Sequence, residues 1–141
     1  MADGPPIIVL EDDRAVALSI GRALESARVA NAIEFFDAGE EVWARLVQGD
    51  AQGSPAPVLA FLDVHVPPGW TGLEVLERIR SHPRLARIPV VMLSGSCDER
   101  DIERAYELGA TAYLVKPAGI HGLRDMLAEL ELRVLLLPPA P

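Results

Sequence analysis

The sequence predicts an α/β domain with a doubly wound, five-stranded parallel β-sheet and helices on both faces. Short apolar runs alternate five times with stretches that carry apolar residues at helical spacing, which is typical of repeated strand–helix units. The run at residues 58–62 contains no polar residue, as expected of a central parallel strand that is buried on both faces. A chain of 141 residues can bury one ordinary core, so we expect a single domain over residues 1–141.

The first two strand–helix units are indicated by apolar runs and the polar residues beside them. Residues 7–10 are all apolar and form the first expected strand. Asp13 can accept hydrogen bonds from the first turn of a helix, which we expect over residues 14–26 because apolar residues recur there at helical spacing. A second strand is expected at residues 32–35, and a second helix at residues 39–47.

The middle of the chain combines a loop, the most apolar strand and a third helix. Residues 49–57 are rich in glycine, serine and proline, which favours a loop. The third strand covers residues 58–62 and stops at Asp63. Residues 66–70 contain two prolines and a glycine and predict another loop, and the helix after Gly72 carries leucine and isoleucine at core spacing.

The last two units follow the same order of strand and helix. A fourth strand is expected at residues 89–93, and Asp98 can cap the helix that follows it. Gly109 is a typical residue for the end of that helix. The fifth strand is expected at residues 112–115, and a last helix at residues 120–136, ahead of two prolines.

Composition argues against several classes of function. The net charge is −8 and no cluster of basic residues is present, so binding to nucleic acid or to anionic membranes is disfavoured. Cys97 is the only cysteine, which rules out an intrachain disulfide and suits a reducing compartment. The first residues lack a signal peptide, and the apolar runs are too short to span a bilayer. We therefore expect a cytoplasmic protein.

Polar residues follow four of the five expected strands at their carboxyl ends. Glu11 and Asp12 follow the first strand, Asp63 the third, Ser94 the fourth and Lys116 the fifth. In an open parallel sheet, ligands bind beyond the carboxyl ends of the strands, at the point where the winding reverses. With the strand order 2-1-3-4-5, this point lies between the first and third strands, so these five side chains are expected to share one crevice.

The chemistry of this crevice predicts a cation and a phosphoryl group. Carboxylates that converge repel one another unless a cation is present, and Mg²⁺ suits oxygen ligands. With Mg²⁺ bound, Asp63 could act as a nucleophile towards phosphorus and form an acyl phosphate. Ser94 and Lys116 would then contact the phosphoryl oxygens.

Lys116 is the only lysine among the 13 basic residues. An ammonium is a compact charge on a flexible stem, whereas guanidinium is a rigid planar fork. The composition of the chain permits two interpretations of this lysine. It could remain by chance in an arginine-rich sequence, or it could be selected because an ammonium can follow a moving oxygen. Its place at the end of the fifth strand favours the second interpretation.

This set of motifs resembles that of the receiver domains of two-component response regulators. The matching elements are Glu11-Asp12, Asp63, Ser94 and Lys116-Pro117, and the resemblance extends over residues 7–130, which we take as the core of the domain. It implies the flavodoxin-like fold typified by CheY.

The resemblance also implies a role for each matching residue. Asp63 would accept a phosphoryl group from a histidine kinase or a histidine phosphotransfer protein. Glu11 and Asp12 would hold Mg²⁺ together with Asp63 and the backbone carbonyl of His65.

Three further residues have implied roles at the carboxyl ends of the last two strands. Ser94 would be the switch hydroxyl, Tyr113 the switch aromatic and Lys116 the phosphate-binding lysine. In this family the bond between the residues that match Lys116 and Pro117 is usually cis.

Two local features set this chain apart within the family. The segment from Asp63 to Gly72 is one residue longer than the commonest receiver spacing, and Ala118 stands where an aromatic residue is frequent. The segment at residues 82–91 and the Lys-Pro-Ala sequence are similar to those of small receivers paired with bacterial phytochrome kinases.

The expected function is a phosphorylation switch that is not itself an enzyme. With no output domain in the sequence, we expect it to act by binding a downstream protein or by forming a homodimer through the last helix and the apolar tail at residues 131–141. The alternatives are a Mg²⁺-dependent phosphohydrolase with an aspartyl nucleophile and a scaffold that works without phosphorylation. His65 stands where such hydrolases usually place a second acid.

Overall fold

The computed structural model describes residues 5–66, 69–116 and 122–129. Within these residues the chain alternates between strands and helices along its whole length. The strands are β1 (Ile7–Leu10), β2 (Ile33–Phe36), β3 (Leu59–Asp63), β4 (Val90–Ser94) and β5 (Ala112–Val115). The helices are α1 (Arg14–Ser26), α2 (Gly39–Ala51), α3 (Gly72–Ser81), α4 (Glu99–Glu107) and α5 (Leu123–Glu129). None of these helices is long and apolar enough to cross a membrane.

The five strands form one parallel sheet in the order β2-β1-β3-β4-β5. This confirms the predicted fold class and strand order. The register places Leu10 beside Leu62, and Asp63 beside Leu93. Consequently the residues that directly follow β1 lie at the same edge of the sheet as the last residue of β3, which is the edge where the site was expected.

Each face of the sheet carries its own core because side chains alternate along a strand. Ile8 and Leu10 pack with apolar residues of α2, α3 and α4, whereas Ile7 and Val9 pack with those of α1 and α5. All four residues of β1 and all five of β3 are buried. The helices therefore cover both faces, and the central strands hold their carboxyl ends rigidly.

The helix ends follow the predicted capping residues. The Asp13 carboxylate accepts hydrogen bonds from the N–H groups of Ala15 and Val16, and Asp98 accepts one from Arg100. Gly109 directly follows the C-cap of α4 and has a φ of +102°, a conformation that residues with a side chain rarely adopt. Local sequence thus determines where α1 and α4 begin and where α4 ends.

The predicted bounds differ from the structure at β2, β3, β4 and α2. Strands β3 and β4 each begin and end one residue later than predicted, so Asp63 and Ser94 are their last residues rather than the residues that follow them. The second strand covers Ile33–Phe36 rather than residues 32–35. Helix α2 continues to Ala51, so only the later part of the expected loop at residues 49–57 is irregular. In that extra turn Asp50 accepts hydrogen bonds from Arg84, a residue far along the chain, and this contact favours helix where composition favours a loop.

Several sequence predictions lie outside the described residues. They are the cis bond between Lys116 and Pro117, the effect of Ala118, the ends of the last helix beyond Leu123–Glu129, and the apolar tail at residues 131–141.

Candidate functional site

The predicted site residues meet at one edge of the sheet. Glu11 directly follows β1, Asp63 and Ser94 are the last residues of β3 and β4, and Lys116 directly follows β5. Glu11, Asp63 and Ser94 are buried, with 5%, 3% and 1% of their surface exposed, whereas Asp12 is exposed. The strands therefore direct three polar side chains inward, whereas Asp12 is accessible to solvent.

Lys116 connects the two buried carboxylates. Its Nζ lies 2.6 Å from Oε1 of Glu11 and 3.0 Å from Oδ2 of Asp63. The lysine side chain is 17% exposed, and both carboxylates are more deeply buried than the ammonium. Since an isolated buried charge is costly, each carboxylate depends on this ammonium for compensation.

The two ends of this ion pair respond differently to burial. Burial raises the pKa of the Glu11 carboxyl to about 7, although the Lys116 ammonium and the N–H of Asp13 favour its charged form. Burial by itself lowers the pKa of the Lys116 ammonium, but the contacts with Glu11 and Asp63 outweigh it and leave this pKa above its ordinary value. Near neutral pH the lysine is charged, while Glu11 is partly protonated. A further cation nearby would stabilise the charged form of the Glu11 carboxylate.

The donor set fits a hard divalent cation. Glu11, Asp12 and Asp63 each offer a carboxylate oxygen, and these atoms lie within 4.8 Å of one another. Oε1 of Glu11 is buried and makes no aligned hydrogen bond among the described residues, so its only compensation there is the charge of Lys116. Oxygen-only ligands with open space for water are what Mg²⁺ requires.

Both carboxylate oxygens of Asp63 have defined partners. Oδ1 accepts a hydrogen bond of 3.1 Å from the N–H of His65, and Oδ2 faces Lys116. His65 itself is exposed to solvent. The carboxylate is therefore held at the end of β3 by a backbone N–H on one side and an ammonium on the other.

Gly72 closes the back of the site, a role that was not predicted from the sequence. A Cβ at this position would overlap the carbonyl oxygen of Asp63 and lie 2.8 Å from its carbonyl carbon. Helix α3 can start this close to β3 only because residue 72 has no side chain. In the sequence Gly72 marked only the start of the third helix, and its contact with Asp63 depends on the packing of α3.

The remaining two predicted residues are connected through the loop between β4 and α4. Oγ of Ser94 accepts a hydrogen bond of 3.0 Å from the N–H of Ser96. The Tyr113 hydroxyl donates to the carbonyl oxygen of the same residue, Ser96, at 3.0 Å. The N–H of Lys116 donates to the carbonyl of Ser94 at 2.7 Å, which fixes the ends of β4 and β5 side by side. Ser96 is thus hydrogen-bonded to both Ser94 and Tyr113.

Comparison with known proteins identifies relatives over almost the whole chain. The sequence model described as the response regulator receiver domain matches residues 7–128. Response regulator Rcp1 of Synechocystis sp. is 34% identical over 142 residues, which covers 96% of each chain.

Solved structures give the same result. The Mn²⁺-bound form of Rcp1 superimposes with a TM-score of 0.77 and 30% identity, over 96% of this chain and 100% of the other. The phosphorylated cyanobacterial phytochrome response regulator RcpA has a TM-score of 0.75 and 35% identity over 92% of each chain. The bacteriophytochrome response regulator RtBRR has a TM-score of 0.82 and 33% identity, over 100% of this chain and 85% of its own.

Proposed function

Since the chain belongs to the family of response regulator receiver domains, we propose that Asp63 accepts a phosphoryl group from a histidine kinase or a histidine phosphotransfer protein. Phosphorylation of an aspartate is the general mechanism of this family. The observation that supports Asp63 is its position, because it is a buried carboxylate at the end of the central strand β3, in contact with Lys116 and close to the carboxylates of Glu11 and Asp12.

The proposed transfer is a displacement at phosphorus. A carboxylate oxygen of Asp63 attacks the phosphorus, the bond from phosphorus to the donor histidine nitrogen breaks, and its electron pair returns to the imidazole. Lys116 already lies 3.0 Å from the attacking carboxylate, so its ammonium needs only a small movement to contact the transferred oxygens. Ser94, on the neighbouring strand, can turn its hydroxyl towards the same group.

We assign the cation of this site as Mg²⁺. Glu11, Asp12 and Asp63, with the backbone carbonyl of His65, would hold it. When bound, the ion neutralises negative charge on the phosphoryl oxygens. Glu11 must then lose its remaining proton, so we expect Mg²⁺ binding to release protons near neutral pH.

The proposed partners follow from the family and from the named relatives. RcpA and RtBRR are phytochrome response regulators, which supports a kinase of the phytochrome class as the donor for this chain. We propose that the phosphorylated protein acts in the cytoplasm as a signalling protein rather than an enzyme. It would bind a downstream protein, or form a homodimer through the last helix and the tail at residues 131–141.

Phosphorylation of purified protein tests the acceptor assignment. With Mg²⁺ and either acetyl phosphate or a cognate histidine kinase, the wild type should gain an acid-stable, base-labile phosphoryl group. Asp63→Asn should not be labelled, whereas Asp37→Asn, which removes an exposed carboxylate outside the acidic cluster, should be labelled like the wild type. Equal labelling of Asp63→Asn and the wild type would refute the assignment, and multiple turnover of a small phosphoester would instead favour a phosphohydrolase.

A further inference from the structure

Trp70, in the loop between β3 and α3, is fixed to the first turn of α2. Its backbone N–H donates to Oε1 of Glu40 at 2.6 Å, a short distance that is typical of hydrogen bonds to a carboxylate. Its carbonyl oxygen lies close to Gly39, where an added Cβ would be only 2.7 Å away. Both backbone polar groups of Trp70 therefore lie against the two residues that begin α2.

Two glycines allow this close approach between the loop and α2. Gly69 has a φ of +106°, a backbone conformation that favours glycine, and a Cβ there would lie 2.5 Å from Oε2 of Glu40. At Gly39 a Cβ would also lie 3.0 Å from Cγ2 of Val75. A side chain at position 69 would thus push the Glu40 carboxylate away from the Trp70 N–H.

The Trp70 side chain is held by α3. The guanidinium carbon of Arg78 lies 3.9 Å from the centroid of a Trp70 ring, which is a cation–π contact. The next residue, Thr71, is the N-cap of α3, and its side chain accepts a hydrogen bond from the N–H of Glu74. The part of the loop that leads into α3 is therefore fixed by two helices at once.

The part of the loop that leaves β3 carries the proposed backbone ligand of the cation. The N–H of Gly72 donates to the carbonyl of Val64 at 3.3 Å, so the two ends of the loop are joined. His65 directly follows this junction, and its N–H donates to Oδ1 of Asp63. Because the ends are joined, a constraint on Trp70 also limits the positions that His65 can take.

We infer that Glu40 is a positioning residue for the cation site, because it holds Trp70 and, through the loop, the backbone carbonyl of His65. The inference rests on the proposed function, which assigns Mg²⁺ to this site. Glu40 is not one of the three acids whose oxygens converge there, so its effect beyond long-range charge passes through the loop. A ligand group that is held in place before the cation arrives loses less conformational freedom on binding, and this raises the affinity.

The test measures Mg²⁺ affinity by titration calorimetry at physiological ionic strength, without a phosphoryl donor. Glu40→Ala should bind Mg²⁺ about three- to tenfold more weakly than the wild type, as expected for the loss of one hydrogen bond that organises the site. Glu40→Gln loses the charge but keeps an acceptor oxygen for the Trp70 N–H, so its affinity should fall by less than about twofold. Glu41→Ala removes the other exposed acid from the first turn of α2 and is the matched control for lost charge, with a decrease of less than about twofold.

A second measurement, made with chelator present, separates positioning from a merely structural role. In Glu40→Ala the NMR order parameters of the His65 and Trp70 amides should fall, since both lie in the loop that has lost its hydrogen bond to α2. The amide of Leu93, in the buried strand β4, is the internal reference and should not change. Glu40 is exposed, so its truncation leaves no cavity in the core and should not reduce order throughout the domain.

Failure of this inference and failure of the proposed function give different results. A wild type that binds no Mg²⁺ would overturn the proposed cation site and this inference with it. A wild type that binds Mg²⁺, alongside a Glu40→Ala variant of unchanged affinity and unchanged order parameters at His65 and Trp70, would overturn this inference alone. Equal weakening in Glu40→Ala, Glu40→Gln and Glu41→Ala would also overturn it, because the effect would then come from charge.

Discussion

Replacing Gly72 by alanine tests whether the start of α3 is packed directly against the proposed acceptor. Position 72 has no room for a side chain, since a Cβ there would overlap the Asp63 carbonyl oxygen, lie 2.8 Å from the carbonyl carbon and lie 3.2 Å from Cε of Met92. The methionine end can swing away. The Asp63 backbone belongs to β3, which is buried and paired on both sides, so it can move only with its neighbours.

The expected change in the free energy of unfolding of Gly72→Ala is the difference between two opposing effects. Forcing a methyl group into packed surroundings costs about 1–3 kcal/mol. Alanine recovers about 0.5–1 kcal/mol over glycine in a helix. We therefore expect Gly72→Ala to lower the free energy of unfolding by up to about 2.5 kcal/mol, which is a decrease of up to roughly 8 °C in the melting temperature for a domain of this size. Displacement of Asp63 should also weaken Mg²⁺ binding.

Gly21→Ala is the matched control for this substitution. Gly21 lies inside α1, where a Cβ would meet Cζ of Phe35 at 3.6 Å, an ordinary contact. The control should gain about 0.5–1 kcal/mol and bind Mg²⁺ normally. Thermal and urea unfolding, followed by circular dichroism, compare the two variants with the wild type. If Gly72→Ala is as stable as Gly21→Ala, the close contact between α3 and β3 does not constrain the protein and the reasoning is wrong.

Three further predictions concern charge and hydrogen bonding. Because the pKa of Glu11 is raised from 4.5 to about 7, its burial destabilises the metal-free protein increasingly as pH rises through this window. Relative to the wild type, Glu11→Gln should thus become more stable as pH rises over that range, by at most about 3 kcal/mol in urea unfolding with chelator present. Added Mg²⁺ should reverse this difference in stability. A difference that is constant with pH would contradict the prediction. Lys116→Arg keeps the charge, but its rigid guanidinium fork does not fit between the two carboxylates. In this variant Asp63 should still be phosphorylated, while the NMR changes that beryllofluoride, an analogue of the phosphoryl group, causes in the wild type should be lost. Normal NMR changes would show that the lysine is replaceable. The Arg80 guanidinium donates to four oxygen atoms of the turns after α3 and α4, so Arg80→Met should lower the free energy of unfolding in urea by about 2–3 kcal/mol. The control Arg104→Met, at a side chain that is 58% exposed, should lower it by less than about 0.5 kcal/mol. Equal decreases in the two variants would refute the argument.

The elements that were predicted correctly are those with strong local signals. The bounds of β1, α1 and β5 agree with the structure to the residue, since apolar periodicity and a capping aspartate act over a few positions. Residues 49–51 were misassigned because glycine at position 49 is a weak helix former. There Asp50 accepts hydrogen bonds from Arg84 in the turn after α3, a contact that the local sequence does not show.

Burial was less predictable than secondary structure. The strands β3 and β5 are both apolar runs in the sequence, yet every residue of β3 is buried and every residue of β5 is only partly buried. The difference comes from their places in the sheet, where β3 is central and β5 is an edge strand. The apolar composition of a single run does not distinguish a central strand from an edge strand, so this difference in burial depends on the strand order.

The strand order and the set of polar residues that meet at the carboxyl edge of the sheet were predicted correctly from the sequence. This was possible because parallel strands bring their carboxyl ends to one edge, whatever the details of packing. Three contacts could not be predicted and are known only from the folded structure: Lys116 bridges Glu11 and Asp63, Gly72 packs against Asp63, and Ser96 is hydrogen-bonded to both Ser94 and Tyr113. These contacts depend on distances of a few ångströms between residues far apart in the chain, and hydrogen bonds and ion pairs weaken steeply over such distances.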